Sequence, residues 1–154
     1  RKGGGKPLLL KLSPDNSDDE IIASAQMAMR MGIDGFVATN TTLHRPVPRN
    51  ATSRGVFAES GGLSGRPLQA RSNEVIRLLY EEAGPTVPIV GVGGIDSVDT
   101  AWQAVASGAS LLQLYSALVF YGPSVVSGIV KGLRRRVKDN GFLGIEEAVG
   151  LDIA

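Results

Sequence analysis

With 154 residues, 43% of them hydrophobic and 20% charged, the chain has ordinary globular composition and enough length for one domain with a real core. A formal charge of +1 supplies no general field for nucleic acid or an acidic membrane, so any anion must be held by local geometry and the expected partner is a small molecule. The absence of cysteine excludes a disulfide framework, a thiolate nucleophile and Cys-ligated iron–sulfur or zinc sites, and the lone His44 argues against zinc altogether.

No apolar run approaches the roughly 20 residues of a membrane span. The basic, glycine-rich start at residues 1–6 lacks the apolar core of a signal peptide, so this segment is expected to be soluble. Leu8 to Leu12 is a short apolar run broken by Lys11 and closed by Ser13-Pro14-Asp15, which predicts a buried strand leaving a sheet. Ser17 and Glu20 fit a capping box, and the helix they open carries Ile21, Ile22, Ala25, Ala28 and Met29 on one stripe, with Gly32 as a left-handed stop. Phe36 to Ala38 is a second strand, ending at Thr39-Asn40-Thr41-Thr42.

From Leu43 to Pro67 there is no periodicity, which predicts a lid or binding loop, tightest at Gly61-Gly62-Leu63-Ser64-Gly65. Leu68 to Ala83 reads as a helix with Val75, Ile76, Leu79 and Ala83 inward, ended by Gly84-Pro85. The strand at Val87 to Val92 stops at Gly93-Gly94. Ser97 caps a helix with Val98, Ala101, Trp102 and Val105 inward, ended by Gly108. A further apolar strand, Leu111 to Leu114, stops at Tyr115-Ser116. Gly122-Pro123 opens the last long helix, with Val125, Val126, Ile129, Val130, Leu133 and Val137 inward and a basic group, Lys131, Arg134, Arg135, Arg136 and Lys138, read as a solvated face. A short helix near Ile145 to Val149 closes the chain.

Strand and helix thus alternate four times, and near-continuous apolar strands with crossover helices predict an α/β fold with an all-parallel sheet covered on one or both faces. A complete (β/α)8 barrel takes about 250 residues, more than this chain has. Polar and small residues crowd the strand C-termini, where such folds bind ligands. Gly93-Gly94 with Tyr115-Ser116 reads as a phosphate cradle of backbone N–H groups, although paired glycines also suit any tight turn. Lys11 either receives an anion or forms an ion pair or a snorkelling side chain. Thr39-Asn40-Thr41-Thr42 offers the donors and acceptors that match an amide-imide edge, or else an Asx or ST turn. No Ser-His-Asp set and no paired-carboxylate site is legible. Asp15, Asp34, Asp96 and Asp99 sit where turns and helix starts favour them.

KLSPD, VATNTT, GGLSGRPL, PIVGVGGIDS and GASLLQLYSALVFYGP, in that order, resemble the C-terminal half of a class 2, quinone-linked dihydroorotate dehydrogenase, over nearly the whole chain. The resemblance implies strands 5–8 of a (β/α)8 barrel, with residues 1–154 a single segment whose N-terminal half is supplied as a second chain or an earlier part of the polypeptide. It implies FMN as cofactor and oxidation of dihydroorotate to orotate in pyrimidine biosynthesis, with electrons passed to a quinone. In that family a proton leaves dihydroorotate C5 and a hydride passes from C6 to flavin N5. By position, Lys11 would lie beside the flavin pyrimidine ring and tune it, Thr39 and Gly65 would contact FMN, and Asn40 and Thr41 would bind orotate. Gly94, Tyr115 and Ser116 would hold the FMN phosphate, with Gly93 shaping the turn. The catalytic base would be a serine of the other half, so Ser13, Ser60 and Ser64 are assigned no such task. Full length, the resemblance implies a peripheral protein of the bacterial cytoplasmic or the inner mitochondrial membrane. The alternatives are another FMN barrel reductase, against which TNTT and GGLSGRPL stand, and a non-catalytic flavin- or phosphate-binding half-barrel module.

Overall fold

Four short strands, β1 (Leu9–Leu12), β2 (Gly35–Ala38), β3 (Ile89–Val92) and β4 (Leu111–Gln113), lie side by side in chain order and are all parallel. The structure, a computed structural model, describes residues 5–47 and 50–153. The start of the basic, glycine-rich stretch and Pro48-Arg49 of the long loop lie outside the described residues. The helices are α1 (Asp18–Arg30), α2 (Ala51–Phe57), α3 (Gln69–Ala83), α4 (Val98–Ala106), α5 (Ser116–Tyr121) and α6 (Ser124–Asp139), with 3-10 turns at Arg66–Leu68 and Ile145–Ala148.

Local chemistry sets the helix ends. The Ser17 side chain accepts from the Glu20 N–H, and the Glu20 carboxylate accepts from the Ser17 N–H at 2.9 Å, completing the capping box of α1. Ser97 and Thr100 make the same reciprocal pair at α4, with a threonine hydroxyl in the place that Glu or Gln usually takes. Gly84, with φ +73, ends α3 in a conformation that an L side chain adopts only with strain.

Strand periodicity then divides the sheet. Leu10, Leu12, Phe36, Ala38, Ile89 and Leu112 point to one face, where they pack with Ile21 and Ala25 of α1, Val75, Ile76 and Leu79 of α3 and Ala101 and Ala104 of α4. Phe36, Ile21, Ile76, Leu79 and Ile89 are fully buried, each worth about 1.5–3 kcal/mol of transfer free energy. In the registers Lys11↔Val37, Val37↔Val90 and Val90↔Leu111, the opposite face carries one continuous row. Among the described residues no layer covers that face. Leu9 stays 38% exposed and Leu111 60% exposed, so of the two expected arrangements, a sheet covered on one face or on both, the described residues show the first: the strands are buried on the helix side only.

Further readings change. The Leu43–Pro67 segment is not wholly irregular, because α2 lies within it. Its seven residues are too few to display an apolar stripe, so periodicity missed it. The segment after Ser116 forms the short helix α5, which ends at Gly122 (φ +70) before α6 begins. On α6 only Ile129 is buried, with Val125 and Leu133 packed against the core, while Val126 and Val130 are each 43% exposed. The inward stripe is therefore narrower than expected, because α6 rests on α4 rather than on the sheet. Close approach there is set by Gly132, where a Cβ would stand 2.1 Å from a Val98 methyl. Trp102 is half-buried, with the Arg136 guanidinium 5.6 Å above its ring and also paired with Asp99, so Arg136 leaves the solvated basic face.

Candidate active site at the strand tips

All four strands run out at one end of the sheet, and there a cavity of about 610 Å³ opens, within the range of small-molecule sites. Lys11, Thr39, Asn40, Thr41, Gly65, Gly93, Gly94, Tyr115 and Ser116 all line it. They come from four different strand ends and the long loop, so the sheet rather than any local segment brings them together. Lys11 points from the open face of β1, two residues after Leu9 and level with Val37. Its side chain is exposed and forms no ion pair among the described residues, which removes the ion-pair reading.

The Thr39–Thr42 stretch separates into two kinds of residue. Thr39 is only 2% exposed, its N–H donates to Val92 O at 2.8 Å and its hydroxyl to Asn40 O at 3.0 Å. The Thr42 hydroxyl donates to Asp15 and accepts from the His44 N–H at 2.9 Å, the ST turn that the sequence left open. Asn40 and Thr41 between them are exposed, and among the described residues their side-chain polar groups meet no protein partner. Gly62 of the long loop lies against Thr41, where a Cβ would come within 1.8 Å of the threonine hydroxyl oxygen.

Asp15 holds this stretch from the side. It also accepts from the Leu43 N–H at 2.8 Å. Desolvation pushes its carboxyl pKa up, but the Thr42 and Leu43 hydrogen bonds and the nearby His44 and Arg45 outweigh it, leaving the group below its ordinary 3.8. Arg71 of α3 clasps the same β1–α1 turn, donating to Pro14 O at 3.0 Å and Asn16 O at 2.8 Å and pairing with Asp18. The long loop is tied across its base by a Thr42–Leu63 bridge and by the Arg45 guanidinium, which donates to Gly61 O at 2.5 Å.

At the other side of the cavity Gly65, Gly93 and Gly94 have φ of +82, +137 and +69. A Cβ on Gly65 would project to 3.8 Å from the Ser116 side chain, into the space the glycines leave open. The Ser64 and Ser116 hydroxyls lie 2.8 Å apart there. Asp96 also lines the cavity; its Oδ1 is buried and has no hydrogen-bond partner among the described residues, while Arg66 pairs with its Oδ2 at 2.5 Å. That hydrogen bond, and the charge of Asp96, push the Arg66 pKa up. The hydroxyls and glycine backbone on this side are a donor set suited to a phosphate monoester. Sequence reasoning missed Ser64 and the Arg66–Asp96 pair. The serine lay inside GGLSGRPL, but its approach to Ser116 depends on how the long loop returns.

Among the described residues no cluster of three His, Asp or Glu side chains is placed to hold a metal ion, and no helix is long and apolar enough to cross a membrane. The profile of the family described as dihydroorotate dehydrogenase matches residues 2–137. A dihydroorotate dehydrogenase (quinone) of Streptomyces coelicolor is 42% identical over 147 residues, which are 96% of this chain and 40% of that protein. One from Prochlorococcus marinus is 44% identical over an alignment of 156 positions that covers 97% of this chain and 39% of that protein. A crystal structure of DHODH from Eimeria tenella in complex with ferulenol superposes with a TM-score of 0.86 at 33% identity, covering 98% of this chain and 40% of that one. The chain thus spans about 40% of the length of the curated relatives it matches.

Proposed function

The chain belongs to the dihydroorotate dehydrogenase family, and from that premise we propose that residues 1–154 are a single segment forming strands 5–8 of an FMN-binding (β/α)8 barrel. The completed protein oxidises dihydroorotate to orotate, a step of pyrimidine synthesis, with a quinone as acceptor. The observation that carries this reading is the convergence of Lys11, Asn40, Gly94 and Ser116, from four strand ends, on one cavity.

Bound FMN would supply the acceptor for the electron pair removed from dihydroorotate. Each residue of this chain has a part that needs no chemistry of its own. Gly94, with Tyr115 and Ser116, would hold the phosphate, Gly93 would shape the turn and Gly65 would approach the flavin, while Ser64 lies beside the Ser116 hydroxyl. Lys11 would place its ammonium beside the flavin ring, and Thr39 would contact the cofactor. Asn40 and Thr41, whose polar groups have no protein partner among the described residues, hydrogen-bond the pyrimidine edge of orotate. The proton-abstracting base belongs to the other half.

That other half, whether a second chain or an earlier part of the same polypeptide, pairs with the free edges of β1 and β4 and covers Leu9 and Leu111. The quinone and the membrane surface are reached through the completed protein, as a peripheral protein of the cytoplasmic or inner mitochondrial membrane. The decisive experiment is purification of the completed barrel and inspection of its visible flavin absorbance. The absorbance should bleach on anaerobic addition of dihydroorotate and return with quinone. A colourless protein refutes the cofactor assignment. Flavin that no substrate bleaches refutes the dehydrogenase and favours a binding module, and bleaching by a nicotinamide donor alone favours another reductase.

A further inference from the structure

Behind the strand tips, on the helix-covered side, one buried polar side chain touches both halves of the site. Ser72 of α3 is 1% exposed, and its hydroxyl donates to Val92 O at 2.7 Å and lies 3.3 Å from Ala38 O. These are the last carbonyls of β3 and β2, immediately before Gly93 and Thr39. We infer that Ser72 is a positioning residue that aims the two polar loops into the cavity together, an inference that rests on the flavin-site reading above.

A hydroxyl has a single proton, so the two carbonyls share it and neither can turn without affecting the other. Val92 O has both lone pairs engaged, by Ser72 and by the Thr39 N–H at 2.8 Å, so the serine, the end of β3 and the start of the Thr39–Thr41 stretch form one unit. In a planar trans peptide the N–H points opposite to the C=O. A Val92 carbonyl turned to Ser72 therefore turns the Gly93 N–H away from α3. Packing fixes the same arrangement: a Cβ on Gly93 would stand 2.9 Å from Ser72 Oγ and 3.0 Å from Ser72 Cβ, and one on Gly94 would stand 2.5 Å from Gln69 Cβ, one turn earlier on α3. The glycine loop thus rests directly on the first turns of α3, with the hydroxyl as its one side-chain hydrogen bond to that helix among the described residues. A serine placed only to satisfy a helix or fill the core would need neither strand-end carbonyl.

The test is Ser72→Ala in the completed, flavin-loaded barrel, with Ser72→Cys as a second variant that keeps a weak donor. Four quantities are read: melting temperature, FMN dissociation constant by flavin fluorescence, kcat and KM for dihydroorotate, and amide exchange of residues 38–41 and 91–94. Loss of a shared anchor should raise the FMN dissociation constant roughly tenfold and speed exchange in both segments, with kcat falling and KM rising. Ser72→Cys should lie between alanine and wild type. A variant that melts lower yet keeps FMN affinity, KM and exchange in both segments within about twofold of wild type has lost only a structural bond, which overturns the inference. So does faster exchange in one segment alone. If Ser72→Ala fails to fold, Ser72→Cys decides by the same readings. A wild-type protein without FMN affinity sinks the functional reading instead, and the exchange comparison still decides whether one hydroxyl holds both loops.

Discussion

Gly94→Ala puts the proposed phosphate cradle to the most direct test. Gly94 has φ +69, a conformation that costs an L residue about 1–2 kcal/mol. The new Cβ would also stand 2.5 Å from Gln69 Cβ, 3.0 Å from Gln69 Cα and 3.1 Å from Gln69 N. Two of those atoms are the backbone of the first residue of α3, so no side-chain rotation relieves them. Overpacking of this kind adds about 1–3 kcal/mol, giving a total destabilisation of about 2–5 kcal/mol. Restoring ordinary contact, which begins at 3.4 Å, requires the loop to move by roughly 1 Å, a displacement that can cost a positioned site about a hundredfold. Denaturant unfolding and FMN fluorescence measure the two effects separately. The control is Gly128→Ala, in the middle of α6, where nothing lies within 4 Å of the position the new methyl would take; better helix propensity there should add about 1 kcal/mol of stability and leave FMN binding unchanged. Were Gly94→Ala to unfold within about 0.5 kcal/mol of wild type and bind FMN equally well, the close-approach argument would be wrong.

Lys11→Ala should slow flavin reduction by dihydroorotate about tenfold or more while leaving the melting temperature in place, since the side chain is exposed and unpaired among the described residues; a near-normal rate in stopped-flow removes it from the site. Asn40→Ala should weaken orotate binding by about 1–3 kcal/mol, read by titration calorimetry, and unchanged affinity would remove Asn40 from the substrate edge. Asp15 sets a pH dependence: its folded pKa lies below the ordinary 3.8, so its stabilising effect is present above that value and is lost as pH falls through the folded pKa. The group is largely exposed, so the effect is small, and Asp15→Asn should flatten the acid limb of the stability curve below about pH 4. An acid limb identical in the two proteins would show that another carboxylate controls it.

The parts of the fold legible in the sequence are those whose signal is local. Ser17 with Glu20, and the apolar stripe of α1, announce a helix through contacts three and four residues apart. Glycines 93 and 94 announce a turn because no other residue adopts their φ without strain. What escaped was set by chain segments far apart. Val126 and Val130 read as inward because periodicity cannot tell which element a helix will rest on, and α6 rests on α4. The two roles within Thr39–Thr42 were equally hidden: Thr42 is occupied because Asp15, 27 positions earlier, reaches it. Ser72 looks in sequence like any polar residue on a helix, and only the crossing of α3 behind two strand ends gives its hydroxyl a purpose.

The open face of the sheet and the floor of the cavity are one surface. Lys11, Val92 and Gln113 line the cavity, and Leu9 and Leu111 continue the same face away from it, because alternate residues of a parallel strand share a side. Whatever covers Leu9 and Leu111 therefore also walls the cavity from below. Apolar area removed from water at those leucines contributes roughly 25 cal/mol per Å², and excluding the same water lowers the effective dielectric around Lys11. A positive charge in drier surroundings acts more strongly on a neighbouring anionic ring than one facing bulk solvent. On the proposed function, completion of the barrel and electrostatic tuning of the site would be consequences of the same burial. A covering layer that stabilised the sheet without changing how Lys11 acts on the proposed flavin would have to leave water between them.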